Sequence, residues 1–125
     1  MEWIDIAGAI AAQRHSNRIC VTAALDDLAF HHPIRLGEVV TLRASVNRAF
    51  TSSMEVGVSV QAENQLTGER KTSNTAYLTF VAVDDNGLPT QVPPIAPGSA
   101  TEKRRYADAL ARRNLRLHRR RKDRR

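Results

Sequence analysis

Regular alternation between apolar and polar residues limits this chain to a fold built on an antiparallel sheet. Alternate positions are predominantly apolar over residues 40–46, 54–62 and 72–82. A period of two is typical of strands that bury one face. The loop over residues 64–69 joins the second stretch to the third, and its Gly68 tolerates the positive φ of a hairpin turn. The three stretches therefore predict consecutive strands.

The residues before these strands predict a helix and a further strand. Residues 1–15 are rich in Ala and Ile and contain no Pro, which favours a helix. Residues 19–25 predict a strand, and residues 28–31 continue it past a bend at Asp26 and Asp27. One helix followed by about four antiparallel strands is an α+β arrangement. We expect the helix to lie across one face of a meandering sheet, whose opposite edge is open unless another subunit or a missing strand covers it.

Charge is divided between an acidic body and a basic end. Residues 101–125 contain 12 Lys and Arg against 3 Asp and Glu, whereas residues 1–100 have a net charge of −3. Four of the five prolines lie between residues 89 and 97. We expect a domain over 1–88, a Pro-rich linker over 89–100 and a basic helix and tail over 101–125, with Thr101 as cap. The basic end either binds a polyanion (nucleic acid, anionic lipid or a phosphorylated cofactor) or is simply solvated.

Composition and motifs exclude several classes of site. The single Cys20 excludes an internal disulfide and a multi-Cys metal site, and the spacing of His15, His31 and His32 matches no zinc motif. We predict neither a metal nor another cofactor. No apolar run approaches the roughly 18 residues of a transmembrane helix. The start Met-Glu-Trp lacks the basic residues of a secretory signal, so we expect a cytoplasmic protein.

Asp5 is the residue whose position most suggests chemistry. It lies alone within the apolar residues 3–12. A carboxylate buried there would lose hydration, which favours a role as general base. The alternative is an acid in the first helical turn that faces solvent and is stabilised by the helix dipole. Gly8 costs about 1 kcal/mol of helix stability relative to Ala, which suggests a close approach by another group.

Several segments together resemble the hotdog-fold acyl-coenzyme A thioesterases. The resemblance begins with the helical sequence MEWIDIAGAIAAQRH and covers most of residues 1–113. Its further motifs are VTAALDD, FHHPIRLGEVVTL, TSSMEVGV, GERK, AYLTFVAVD, VPP and EKRRY. In that family a curved antiparallel sheet wraps the helix, two protomers join their sheets edge to edge, and dimers often form hexamers. The resemblance thus implies a hotdog fold and a homodimer or hexamer.

The resemblance also implies an activity. Acyl-CoA would be hydrolysed to a fatty acid and free CoA, and Asp5 takes the position of the family's catalytic carboxylate, as general base or nucleophile. The residues expected to contact the substrate are Gly8, Thr51, Ser52, Ser53 and Arg70. In the family a first strand and a glycine-rich loop precede the helix. This sequence begins within the helix, so either its start is misassigned, or the chain is a fragment of a longer protein, or the protein lacks both.

Two other functions remain open from the sequence. The first is a non-catalytic hotdog module that binds acyl-CoA or pairs with another subunit, which the expected loss of the glycine-rich loop favours. The second is nucleic-acid binding through residues 103–125. Aromatic residues are only 5% of the chain, and the strands lack the exposed aromatics on which bases stack. We therefore expect no specific nucleic-acid partner.

Overall fold

The computed structural model describes residues 2–123, without the side chains of Glu2, Asp27 and residues 119–123. The elements in chain order are α1 (Glu2–Ser16), β1 (Ile19–Phe30), β2 (Val39–Ala49), β3 (Ser53–Glu63), β4 (Arg70–Val83) and α2 (Ala100–Asp123). The α+β arrangement predicted from the sequence is confirmed. β1 is one continuous strand, although its pairing with β4 is irregular at the expected bend, between Asp26 and Ala29.

The sheet is antiparallel, and its strand order is β1-β4-β3-β2. β2, β3 and β4 form the predicted meander, but β1 lies beyond β4 rather than beside β2. The eight-residue connection from Phe30 to Val39, which contains Pro33 and Gly37 with its positive φ, carries the chain across the sheet. Both β1 and β2 are edge strands within the described residues, so the expectation of one open edge is corrected to two.

The core lies between α1 and one face of the sheet, here called the inner face. Met54, Val56 and Val58 of β3 alternate toward it, as do Leu78 and Phe80 of β4, and all five are 3% exposed or less. Ile4 and Ala12 of α1 complete the buried cluster. Burial of this apolar surface is the main stabilising term, at about 25 cal/mol per Å². The helix is therefore held across the sheet by the alternating residues that predicted the strands.

Gly8 lies where α1 crosses β3 and β4 most closely. A Cβ placed on it would come within 3.0 Å of Phe80 Cε2 and 3.6 Å of Val58 Cγ2. Phe80 is fully buried, so its ring has little space to move. The close approach that the sequence suggested at Gly8 is thus explained by the Phe80 ring.

Replacing Gly8 by Val is expected to lower the free energy of unfolding by about 1–3 kcal/mol, because overpacking shifts Phe80. Urea unfolding measures the difference. Gly98→Val is the matched control, because a Cβ at Gly98 meets nothing within 4 Å, and it should change stability by less than about 0.5 kcal/mol. Equal stability of Gly8→Val and the wild type would contradict the packing described here.

α2 crosses the opposite, outer face of the sheet. Ala109 is fully buried and Tyr106 and Arg113 are partly buried, as their helical spacing predicted. The cap is Ser99 and not Thr101: Ser99 Oγ accepts the Glu102 N–H at 3.1 Å, and Glu102 Oε2 accepts the Gly98 N–H at 3.1 Å. This reciprocal capping box places the helix start two residues earlier than expected. The predicted tail beyond Asp123 lies outside the described residues.

The proline-rich segment before α2 has no helix or strand, but it is packed against the sheet. The Thr90 N–H donates to Ala82 O, and the Val92 N–H donates to Thr51 O, each at 2.9 Å. Val92 is 2% exposed, and His15 Nε2 on α1 donates to Pro93 O at 2.7 Å. The segment is therefore extended, as expected of a linker, and is fixed along its length. The division of the chain at residues 88 and 100 stays a prediction.

Candidate active site

Asp5 lies in the first turn of α1 and is exposed, which is the second of the two alternatives left open by the sequence, an acid in the first helical turn that faces solvent. The side chain is nevertheless fixed, because Thr22 Oγ1 donates a hydrogen bond to Asp5 Oδ1 at 2.8 Å. Thr22 lies on β1 opposite Phe80 and shares its inner face. Within residues 2–123, Oδ2 of Asp5 accepts no hydrogen bond and is open to a water molecule or a ligand.

The surface around Asp5 is apolar. Trp3 and Ile6 of α1 are 68% and 51% exposed, and Leu25 of β1 is 44% exposed. Together with Ile10, these α1 side chains form a stripe that faces away from the sheet. A contiguous exposed apolar surface indicates a binding surface or a subunit interface.

The open edge of β1 is also apolar. Ile19 is 69% exposed, Val21 is 49% exposed and Phe30 is 76% exposed. Edge strands carry unpaired backbone groups, and natural proteins protect such edges with charges, prolines or a covering element. β1 has none of these protections along residues 19–25. This edge therefore has the properties of a strand that pairs with a further strand.

The other residues predicted to bind substrate are not brought to Asp5 within this chain. Thr51 and Ser52 lie in the turn between β2 and β3, and Ser53 begins β3 and pairs with Val81 in a row that faces outward. Arg70 is ten residues from Phe80 along β4, which is about 33 Å of strand, and forms an exposed ion pair with Glu63 at 3.5 Å. Gly8 faces the core. Their substrate roles stay predictions.

Three arginines line a cleft that adjoins the apolar stripe of α1 at Ile10. The cleft has a volume of about 890 Å³ and lies between α1 and β2. Its lining includes the apolar side chains of Ile10 and Leu42 and the charged side chains of Arg14, Arg43, Arg105 and Glu102. Among the described residues no group of three or more His, Cys, Asp or Glu side chains could hold a metal ion.

The sequence reasoning missed two groups of functional interest. Thr22 was part of a predicted strand but had no assigned role, although it is a polar residue at an inward-facing position of an otherwise apolar strand. Glu55 was assigned to the polar side of β3, yet it is 2% exposed. Its carboxylate accepts two hydrogen bonds from Arg112, at 2.6 Å from Nη2 and 3.0 Å from Nε, and one from Asn47 Nδ2 at 3.1 Å.

The Arg112 guanidinium is fixed by this pair. Burial disfavours its charge, but the hydrogen bond and the negative charge of Glu55 outweigh burial, and the pKa of Arg112 is raised above its ordinary value. Arg112 also stacks on the Tyr77 ring at 3.7 Å from the centroid. One turn later, Arg116 pairs with Asp26 at 2.8 Å. Part of the basic end is therefore neutralised by the acidic body rather than free for a polyanion.

No helix over residues 2–123 combines the length and the apolar character needed to cross a bilayer.

Comparison with known proteins gives a consistent family assignment. The thioesterase superfamily profile matches residues 1–69. This chain is 42% identical over 121 residues to the uncharacterized acyl-CoA thioester hydrolase YkhA of Bacillus subtilis. The match covers 97% of this chain and 70% of that protein. The chain also matches the much longer acyl-coenzyme A thioesterase 11 of mouse, of which it spans 20%.

Solved structures agree with these relatives. An acyl-CoA hydrolase from Staphylococcus aureus, in complex with butyryl coenzyme A, coenzyme A and coenzyme A disulfide, superposes with a TM-score of 0.91 at 37% identity, over 99% of this chain and 76% of that one. A hexameric acyl-CoA thioesterase superposes with a TM-score of 0.91 at 39% identity, over 94% of this chain and 76% of that one.

Proposed function

This chain belongs to the thioesterase superfamily and has its hotdog fold, and from that premise we propose that it hydrolyses acyl-CoA thioesters to a fatty acid and free coenzyme A. The observation that carries the proposal is the Asp5 carboxylate, which is held by Thr22 at 2.8 Å beside an exposed apolar surface. A fixed carboxylate with one open oxygen can act on a thioester whose acyl chain lies along the apolar stripe. The relatives named for acyl-CoA hydrolysis support this substrate class.

Asp5 acts either as a general base or as a nucleophile. As a base, Oδ2 removes a proton from water while the water oxygen forms a bond to the thioester carbonyl carbon. The C–S bond then breaks, and the proton passes to the departing sulfur of coenzyme A. As a nucleophile, Oδ2 forms a bond to the carbonyl carbon itself, the C–S bond breaks, and coenzyme A leaves as a thiolate that takes a proton from water. Water then cleaves the resulting anhydride, which releases the fatty acid and restores the Asp5 carboxylate. In both routes the unpaired N–H groups at the start of α1 favour the developing oxyanion.

The protein acts as a homodimer or a hexamer in the cytoplasm. The exposed apolar edge of β1 and the apolar stripe on α1 both support a second subunit at the site. The hexameric thioesterase among the similar structures supports the higher assembly. In such an assembly Thr51, Ser52, Ser53 and Arg70 can reach the substrate from a neighbouring copy. Arg14 and Arg43, which line the cleft, are candidate partners of the CoA phosphates.

A non-catalytic acyl-CoA-binding module is the second candidate. The exposure of Asp5 in the single chain favours it, because an exposed carboxylate lacks the desolvated surroundings that strengthen a general base. Thiol release from a panel of acyl-CoAs of increasing chain length, followed with a thiol-reactive dye, separates the two. Turnover supports the hydrolase. Binding of a non-hydrolysable acyl-CoA analogue without any turnover would support the module instead.

Thr22→Val is expected to lower kcat by about 10- to 100-fold, because a hydrogen bond to a charged group contributes about 1.5–3 kcal/mol. Valine keeps the shape of threonine and removes only the hydroxyl that orients Asp5. Thr22→Ser restores the hydroxyl and should keep most of the activity. Steady-state thiol release at saturating substrate makes the comparison. If Val and Ser at position 22 reduce kcat equally, the hydroxyl of Thr22 has no part in the reaction.

A further inference from the structure

β1 is held less regularly than the other strands. Its pairing with β4 is interrupted between Thr22 and Ala24, and again between Asp26 and Ala29. Within the described residues β4 is its only partner in the sheet. Thr22, which holds Asp5, is therefore the last paired residue before the first interruption, and only Ala24, Leu25 and Asp26 pair with β4 before the second. Residues 23–28, which contain this short paired stretch and both interruptions, are here called the irregular segment.

Arg116 of α2 bridges the irregular segment to the neighbouring strand. Its Nη1 donates to Asp26 Oδ2 at 2.8 Å and to Thr79 Oγ1 on β4 at 3.0 Å. The Arg116 and Asp26 side chains are 16% and 23% exposed. Charge-assisted hydrogen bonds in such partly desolvated places are stronger than those on an open surface. One guanidinium thus ties together β1, β4 and the basic helix.

The bridge and the candidate active site are on opposite faces of the same strand. Asp26 faces outward toward α2, and Thr22 faces inward toward Asp5. They are four residues apart, which is about 13 Å along the strand. A displacement of the segment between them changes the direction of the Thr22 side chain. An error of about 1 Å in catalytic geometry can cost up to about 100-fold in rate.

From this arrangement we infer that Arg116 is a positioning residue: through Asp26 it holds the irregular part of β1 so that Thr22 stays within hydrogen-bond reach of Asp5. The inference rests on the proposed function for its effect on rate, and on the structure alone for its effect on Thr22. It gives the basic C-terminal helix a role in the reaction. A polyanion partner is not needed to explain Arg116.

A purely structural ion pair is the competing interpretation, and a double-mutant cycle on kcat separates the two. Arg116→Met in the wild type should lower kcat by between about 3- and 100-fold with KM nearly unchanged. In the Thr22→Val background the same substitution should lower kcat by less than about 2-fold, since the hydroxyl it positions is already absent. Equal effects in both backgrounds would overturn the inference.

Two further single variants serve as controls for the double-mutant cycle. Arg116→Lys keeps a cation near Asp26 and should recover part of the lost kcat. Arg113→Met is the matched control on the same helix, because Arg113 stacks on the Phe50 ring at 4.6 Å, whereas the hydrogen bond and ion pair of α2 to β1 among the described residues are made by Arg116. It should leave kcat unchanged. A loss in Arg113→Met as large as in Arg116→Met would show that α2 acts only through general stability.

A measurement without turnover keeps this test separate from the proposed function. In protein labelled at the threonine methyl groups, Arg116→Met should shift the Thr22 methyl resonance, and Arg113→Met should leave it in place. If the wild type hydrolyses no acyl-CoA, the proposed function fails while the resonance still reports on Thr22. An unmoved Thr22 resonance in Arg116→Met would overturn the positioning inference whatever the activity.

Discussion

Asp5→Asn is expected to reduce kcat for acyl-CoA hydrolysis by about 10²- to 10⁴-fold. Asparagine has the size of aspartate, and its amide oxygen can still accept the hydrogen bond that Thr22 Oγ1 donates at 2.8 Å. It can neither remove a proton from water nor form an anhydride with the acyl group. The geometry at position 5 is therefore kept while the chemistry is lost. Thiol release at saturating acyl-CoA measures the ratio.

The controls for Asp5→Asn separate catalysis from charge and folding. Asp85→Asn removes one negative charge from an exposed loop and should leave kcat unchanged. Because Asp5 is exposed, Asp5→Asn should also change the urea midpoint very little. Full activity of Asp5→Asn would rule out Asp5 as base and as nucleophile. Absence of turnover in both wild type and variant, with an acyl-CoA analogue still bound, would support the non-catalytic module.

The neighbours of Asp5 in the sequence could not decide between burial and exposure of its carboxylate, because α1 is apolar on both faces. Ile4 and Ala12 face the sheet, whereas Trp3, Ile6 and Ile10 face away from it. A helix that is apolar on all sides is one that is buried on all sides. The apolar composition around Asp5 therefore indicates surroundings that a single copy of this chain does not provide. Which face meets the sheet is decided by packing, above all by the contact of Gly8 with Phe80.

The strands could be predicted because an alternation with a period of two is a local property of the sequence. The order of the strands in the sheet could not be predicted, because strand pairing joins residues that are far apart in the chain. β2, β3 and β4 follow one another through short turns, so sequence neighbours are also neighbours in the sheet. Residues 31–38 carry the chain from β1 across the sheet to β2, and nothing in the composition of β1 selects β4 as its pairing partner. The same limit explains Thr22, whose partner Asp5 is 17 residues away on another element.

Glu55 shows the limit of alternation as a guide to exposure. The pattern of β3 correctly placed it on the outer face, opposite the buried Met54 and Val56. It could not show that α2, 57 residues later, covers that face and supplies Arg112. A sequence signal did exist, since an acidic body followed by a basic end favours an internal ion pair. The sequence analysis instead considered partners outside the chain for the basic end.

Arg112→Met is expected to lower the free energy of unfolding by about 3–5 kcal/mol, the usual cost of removing one partner of a buried ion pair. The Glu55 side chain is 3% exposed and would keep only the Asn47 hydrogen bond at 3.1 Å. A carboxylate left in such a place has lost both its water and its counter-charge. Urea unfolding of the variant beside the wild type, at one protein concentration, measures the change.

The size of that loss does not mean that the pair stabilises the fold by the same amount. Much of it is the cost of an unpaired Glu55, which a second substitution removes. The double variant Arg112→Met with Glu55→Gln should therefore recover most of the lost stability, because a neutral amide can keep the Asn47 contact without a counter-charge. If the double variant is as unstable as Arg112→Met alone, the loss comes instead from packing of the arginine on Tyr77. Less than about 1 kcal/mol lost by Arg112→Met would mean that Glu55 is solvated like a surface acid.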